Sequence, residues 1–245
     1  MVKREEARTP DEFRLLWESK PVLRAVYDDY YRRIGSWMQG EPTVELGAGG
    51  ANLKASIPQL IASDIVSAPW LDLTLDAQVL PFQDESVASF VGVDVLHHIE
   101  YPGEFLAEVE RVLRPGGRVI LVEPAITPVS WLVFKLTHPE PVKLRVDSLA
   151  RGRPGADRHP MDSNQAIPTV AVGRDRGRLE RQFPGLRVTH VQRLSLIAYP
   201  LSGGLRPWSL LPMALVAPTL RAERWLSPVL GRLMAFRLLL VLERR

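Results

Sequence analysis

The chain reads as an α/β fold: a parallel sheet covered by helices on both faces. Three observations predict it. Short apolar runs alternate with helical stretches between residues 43 and 122. A glycine cluster, Gly47-Ala48-Gly49-Gly50, follows the first run directly. Carboxylates stand at the ends of successive runs, at Glu45, Asp64, Asp76 and Asp94. Alternation at this spacing makes βαβ units, and buried parallel strands are nearly continuous in apolar residues. Such sheets bind ligands at the carboxyl ends of their strands, where the strand order reverses. The loops after the first four strands are therefore where a site is expected.

Taken in order, residues 11–40 carry Phe13, Leu16, Trp17, Leu23, Val26, Tyr27, Tyr30 and Ile34 at helical spacing, divided by Pro21. Thr43 to Leu46 is a strand. A short helix is expected up to about Ile57, where Pro58 stops it, with Asn52 as its cap. Leu60 to Ser63 and Leu73 to Leu75 are the second and third strands, and Ser86 to Val93 is the fourth. Glu104 to Arg114 is amphipathic, with Phe105, Leu106, Val109, Val112 and Leu113 on one stripe, and Pro115-Gly116-Gly117 is expected to end it. Arg118 to Val122 is the fifth strand. Leu186 to Arg193 and Ala235 to Glu243 are the sixth and seventh, the last expected antiparallel. The apolar stretch between these two is expected to be broken by its prolines, Pro212 and Pro218 among them.

At 245 residues, with 46% hydrophobic and 24% charged, the chain has the composition of one globular domain. Its expected organisation is a single domain over 1–245: a helical cap at 1–40, a core at 41–124, and insertions at 125–185 and 200–232 that form an acceptor site or lid. The absence of cysteine excludes disulfides, thiolate metal sites and cysteine nucleophiles, and fits a reducing compartment. The charged start has no export signal pattern, and no apolar run reaches the roughly 20 residues that span a bilayer. A cytoplasmic protein is expected.

Charge is uneven. Residues 1–142 hold 13 Lys/Arg against 21 Asp/Glu, and residues 143–245 hold 18 against 7. The basic half is expected either to face an anionic partner or to reflect a bias toward arginine. In 205–232, Trp208, Trp225 and four arginines accompany an apolar stretch. This pattern fits peripheral contact with a membrane, a lid or a dimer interface.

Chemistry concentrates at the strand ends. Glycines let the Gly47–Gly50 turn approach a ligand closely. The P-loop pattern is absent, and Asn52 stands where a nicotinamide fingerprint wants Gly or Ala. Asp64, 19 residues beyond Glu45, is positioned to accept ribose hydroxyls. Asp76 can accept from an exocyclic amine. Three acids without a phosphate cradle describe a nucleoside whose tail carries an ammonium.

Residues 42–124 resemble a class I S-adenosylmethionine-dependent methyltransferase of the type-11 kind. The matching segments are Val44–Gly50, Ser63-Asp64, Leu75-Asp76-Ala77 with Leu80-Pro81-Phe82, Asp94–Ile99, Phe105–Glu108 and Leu113–Arg118. The resemblance implies a Rossmann-like seven-stranded sheet with an N-terminal helical lid and a C-terminal helical insertion, and S-adenosylmethionine as cofactor. It implies that Glu45, Gly47, Ala48 and Gly49 surround the methionine part and that Asp64 takes the ribose. Asp76 and Ala77 then frame the adenine, Ile65 is a further cofactor-binding residue, Val93 and Asp94 lie beside the sulfonium, and Tyr27 is on the lid. Departures are Ala51 in place of a third glycine and a short first helix. With its long insertions the chain resembles an uncharacterised subgroup linked to surface-glycan or lipid metabolism.

The expected reaction is methyl transfer to oxygen or nitrogen of a small-molecule or lipid-linked acceptor. His98, His97, Asp94 and His138 are the candidate catalytic residues, because imidazole suits general-base work near neutral pH. Glu123 is either a further base or a loop cap. In related ubiquinone-type O-methyltransferases an acidic–acidic–His set at the positions of Asp94, His97 and His98 holds a divalent metal. Here His97 replaces the middle acid, and no metal is expected. Two other readings stay open: an RNA or DNA methyltransferase, and a non-catalytic cofactor-binding subunit. The first lacks the Asn/Asp-Pro-Pro-aromatic run, since Asp94-Val95-Leu96-His97 stands there. A nicotinamide dehydrogenase is disfavoured by Glu45 and Asn52.

Overall fold

Pro21 divides the N-terminal segment as its missing N–H requires: α1 (Pro10–Ser19) ends before it and α2 (Pro21–Trp37) starts on it. The computed structural model describes residues 10–153, 159 and 161–245. The first nine residues of the expected cap, and residues 154–158 and 160 of the first insertion, lie outside the described residues.

Seven strands follow: β1 (Thr43–Glu45), β2 (Ile61–Asp64), β3 (Leu73–Thr74), β4 (Val87–Val93), β5 (Leu113–Pro124), β6 (Leu186–Leu194) and β7 (Arg237–Arg244). They form one sheet in the order β3-β2-β1-β4-β5-β7-β6. β1 to β5 pair in parallel, and β7 runs antiparallel to both β5 and β6. The order reverses between β1 and β4, so their carboxyl ends open the crevice in which such sheets hold ligands.

Side chains alternate along the strands between two apolar layers. Phe90, Val119, Leu121, Leu238, Leu240 and Leu242 pack with Phe105, Leu106 and Val109 of α3 (Pro102–Val112). Val91, Ile120, Val122, Leu239 and Val241 face the other way, onto Leu23, Val26, Tyr30 and Ile34 of α2. Both faces of the sheet are thereby covered, as the near-continuous apolar strands require.

Three local expectations are corrected. The helix after the glycine cluster is only a 3-10 turn, Leu53–Ala55, because Pro58 follows within one turn and Ala51 already turns left-handed at φ 54°. Asn52 precedes it without a side-chain cap. The third helix ends at Val112, before Pro115-Gly116-Gly117, because Leu113 pairs with Val87 of β4 and draws the chain into β5. The apolar C-terminal stretch is not broken by its prolines. Pro212 caps α8 (Met213–Met234), and Pro218 and Pro228 lie inside it. Each interior proline costs about 3 kcal/mol or more. Val216 and Leu220, packed with the α2 residues, and the buried carboxylate of Glu223 hold the helix in one piece across them. Glu223 accepts the N–H groups of Ile197 and Ala198 at the start of α7 (Ala198–Ser202), at 2.5 and 2.6 Å.

The insertion after β5 forms α4 (Pro128–Thr137), α5 (Ile167–Val172) and α6 (Arg176–Gln182). Thr127 caps α4 by accepting the Ser130 N–H, and Ser130 reciprocates toward the Thr127 N–H. No helix among the described residues is long and apolar enough to cross a membrane.

Candidate active site

A cavity of about 640 Å³ lies over the carboxyl ends of β1 and β4. Of the residues singled out from the sequence for binding or catalysis, Tyr27, Glu45, Gly47, Ala48, Gly49, Asp64, Ile65, Asp76, Ala77, Val93, Asp94, His97, His98 and His138 line it, and Glu123 does not.

One half is acidic and shaped by glycine. Gly47 and Gly49 sit at φ 61° and 51°, and a Cβ on Gly47 would come 2.8 Å from Val95 Cγ2. Gly47→Ala is therefore expected to cost about 2 kcal/mol, combining left-handed strain with a side-chain clash, as a lowered midpoint in urea will report. The Asp64 carboxylate accepts the Gly49 N–H at 2.9 Å and the Val66 N–H at 3.0 Å, tying the β1 loop to the end of β2. Trp70 donates its indole N–H to the Gly49 carbonyl, and Arg14 lies over the Trp70 ring. Asp76 accepts the Gln78 N–H, and Gln78 Oε1 accepts the Tyr101 N–H. Ile65 is half exposed on the rim. Glu45 is buried, and its Oε2 has no hydrogen-bond partner. Burial, with the charge of Asp64 nearby, pushes its carboxyl up to about 8. A buried acid of this kind is completed by a cationic group on a ligand.

The other half joins β4 and β5 to the insertions. Asp94, at φ 61°, forms an ion pair with Arg237 of β7 and accepts the Tyr27 hydroxyl at 3.3 Å. Arg237 is buried and lies over the Tyr199 ring, 4.1 Å from its centroid. Glu123, at the end of β5, accepts the N–H groups of Val95 and Leu96 at 2.8 and 2.7 Å through Oε1. Its Oε2 lies 2.7 Å from His97 Nδ1. Of the two roles open to Glu123, the structure shows the loop cap.

His97 Nε2 lies 3.5 Å from Glu140 Oε2. Burial would depress the His97 ring, but hydrogen bonds with Glu123 and Glu140 carry it up to about 10. Glu140 is partly buried, which raises its carboxyl, yet the His97 partner holds it well below the usual range. His98 stacks beside His97, ring centroids 4.2 Å apart, and burial followed by the neighbouring His97 charge lowers its pKa. His138 is lowered mainly by burial, and Gln165 Nε2 lies 3.1 Å from its Nδ1. Gln165 Oε1 is buried in the cavity lining without a partner.

The metal set weighed from the sequence is rearranged. Arg237 holds Asp94, and the donor atoms that converge within 4.8 Å are those of His97, His98 and Glu140, or of Asp94, His97 and Glu123.

Sequence reasoning missed Glu140, Gln165, Arg237, Tyr199 and Gln78 as site residues. Two had a signal. Arg237 is the one charge in the apolar run 233–242, and Glu140 lies between prolines two residues after His138. The basic half is also less free than its composition implies. Arg151 pairs with Glu104, Arg178 with Asp147, Arg187 with Glu243 and Arg237 with Asp94.

Comparison with known proteins agrees with this geometry. Residues 51–121 match the family model described as a methyltransferase domain. A 37.1 kDa protein in a transposon of Streptomyces fradiae is 30% identical over 162 residues, covering 62% of this chain and 41% of its own. The demethylmenaquinone methyltransferase of Streptomyces avermitilis is 31% identical over 105 residues, covering 41% of this chain and 45% of its own. The chain thus spans less than half the length of these curated relatives. The crystal structure of geranyl diphosphate C-methyltransferase from Streptomyces coelicolor superposes with a TM-score of 0.51 at 13% identity, over 89% of this chain and 77% of that one. Residues 51–121 thus match a methyltransferase-domain model, and the sheet order and crevice are those of the fold that the Streptomyces coelicolor structure shares.

Proposed function

We propose that this chain transfers the methyl group of S-adenosylmethionine to an oxygen or nitrogen of a small, lipid-like or lipid-linked acceptor. The observation that carries the reading is the division of one cavity into an acidic, glycine-lined half and a histidine–carboxylate half. When bound, the cofactor supplies a methyl group already activated by its sulfonium.

The chain's own residues do the rest. Glu45 meets the ammonium of the methionine part, and the glycine turn lets the backbone close on it. Asp64 would accept the ribose hydroxyls, Asp76 and Ala77 would hold the base, with Asp76 accepting from its amine, and Ile65 would join them in holding the cofactor. Tyr27, Trp17 and Tyr31 exclude water from above. Aligning donor and acceptor in a desolvated site supplies about 7–11 kcal/mol. His98, neutral because burial and His97 depress its pKa, accepts the acceptor's proton. Glu123 and Glu140 fix the His97 ring beside it, and His138 and Gln165 Oε1 orient the acceptor.

The lipid-like acceptor is supported by the apolar insertions around this half and by the demethylmenaquinone in the name of the Streptomyces avermitilis relative. The reading makes residues 1–245 one working unit, with cap and insertions closing over the core. It places the protein in the cytoplasm, peripheral to the membrane's inner face through residues 205–232. A nucleic-acid substrate is a poorer fit, because several arginines of the basic half are engaged in ion pairs.

Calorimetric titration with S-adenosylmethionine, S-adenosylhomocysteine and NADH tests the assignment. Binding of the two sulfur nucleosides alone is expected, and binding of NADH alone overturns it. Free Glu45, with a pKa of about 8, is mostly protonated at pH 7 and ionises when it meets the ligand's ammonium. Binding at pH 7 should therefore release close to one proton. The apparent enthalpy should vary with the buffer's ionisation enthalpy, and Glu45→Gln should remove that dependence.

A further inference from the structure

The outer surface of α8 is unusual for a helix packed on a domain. Val216, Leu220, Glu223 and Gly231 are buried. On the opposite side Leu215, Ala222, Trp225, Leu226, Val229 and Leu233 fall on a second stripe, all exposed, with Trp225 at 81% and Val229 at 78%. Helix α4 packs against α8 and repeats the pattern. Phe134 and His138 face the cavity, while Trp131, Leu132 and Leu136 face out, the last at 73% exposure. The segment between α7 and α8 adds Leu205, Trp208 and Leu210, and Arg206 donates to the Thr137 carbonyl at the end of α4. Leu205 also lines the cavity. The apolar surface and the acceptor half of the cavity therefore share walls.

Charge decides what covers this surface. Over 128–137 and 203–234 the cations are Lys135, Arg206, Arg221, Arg224 and Arg232, and the sole acid is Glu223, which is buried under α7. Arg224 is answered by Asp29 of α2, 3.6 Å away, but a second copy docking by a two-fold axis would set the other arginines against one another with no exposed acid on these elements to answer them. A bilayer rich in anionic phospholipid answers both features. Arginine stems lie along apolar surface with their guanidinium groups at the headgroups, and tryptophan settles at the same depth.

We propose that α4, α8 and the 203–212 segment form a docking face for an anionic phospholipid bilayer, through which the acceptor reaches the cavity. The inference rests on the lipid-like acceptor proposed above and names the surface that delivers it.

The test is sedimentation of the 245-residue chain with vesicles of phosphatidylglycerol and phosphatidylcholine, against vesicles of phosphatidylcholine alone. Binding is expected to the first, weakening with added salt, and to be at least tenfold weaker to the second. Trp225→Glu with Val229→Glu should reduce binding to the anionic vesicles tenfold or more. Arg221→Glu with Arg232→Glu should remove the preference for them. All four substitutions lie on exposed positions, so thermal midpoint and S-adenosylmethionine affinity should be unchanged. Failure of the wild-type chain to bind anionic vesicles overturns the proposal. So does a solution dimer, seen by light scattering, that Val229→Glu converts to monomer. Calorimetry separates this from the assignment of the site. Cofactor binding without vesicle binding sinks only the docking face, and vesicle binding without cofactor binding sinks only the methyl-transfer reading.

Discussion

Asp64→Ala is expected to weaken S-adenosylmethionine binding by about 100-fold or more. A hydrogen bond to a charged group contributes about 1.5–3 kcal/mol, and two ribose hydroxyls would lose one each. The carboxylate also accepts the Gly49 and Val66 N–H groups, so its removal loosens the loop that surrounds the methionine part. Calorimetry on the wild type, Asp64→Ala and Asp64→Asn distinguishes the two contributions. Asparagine keeps an acceptor for the loop but loses the charge, and should fall between. Unchanged affinity in the alanine variant would remove Asp64 from the binding site.

His98→Ala is expected to lower kcat by about 10²- to 10⁴-fold, the usual contribution of a general base, while cofactor affinity stays at the wild-type value. The pH profile supplies a second reading. The His98 pKa is lowered from 6.5, so the ring is neutral through the physiological range. The wild-type rate should fall only as pH drops through that lowered value, and the limb should vanish in the variant. His97→Ala is a different experiment. It leaves Glu123 and Glu140 without the ring that bridges them, so stability and activity should fall together. Wild-type turnover in His98→Ala would take this residue out of the chemistry and shift attention to His138.

The core was legible in the sequence because its signals are local. β1, β2 and β4 are short apolar runs, each ending at an acid or beside one, and the glycine turn sits directly after the first. The acceptor half was half-legible. His97, His98 and His138 stand out as residue types, but their partners come from afar. Glu140 meets His97 across 43 residues, and Arg237 meets Asp94 across 143. No periodicity encodes such pairs. They follow from β7 entering beside β5 and from the insertion folding back over β4. The prolines of α8 misled for the opposite reason. Proline's local preference is strong, yet buried contacts at Val216, Leu220 and Glu223 outweigh it.

The position of β7 bears on how the chain is made. Of the strands in this sheet, β7 is the latest in sequence, yet it lies between β5 and β6, both synthesised earlier. Until it arrives, β6 has no partner on the sheet, and β5 presents an open, apolar edge. Asp94 likewise waits for Arg237, so the nascent site carries an unneutralised acid. Completion of the sheet and completion of the site are thus one late event. A chain stalled before residue 237 would expose both a sticky edge and an unfinished cavity, which makes it a substrate for chaperones and proteases rather than a partly active enzyme.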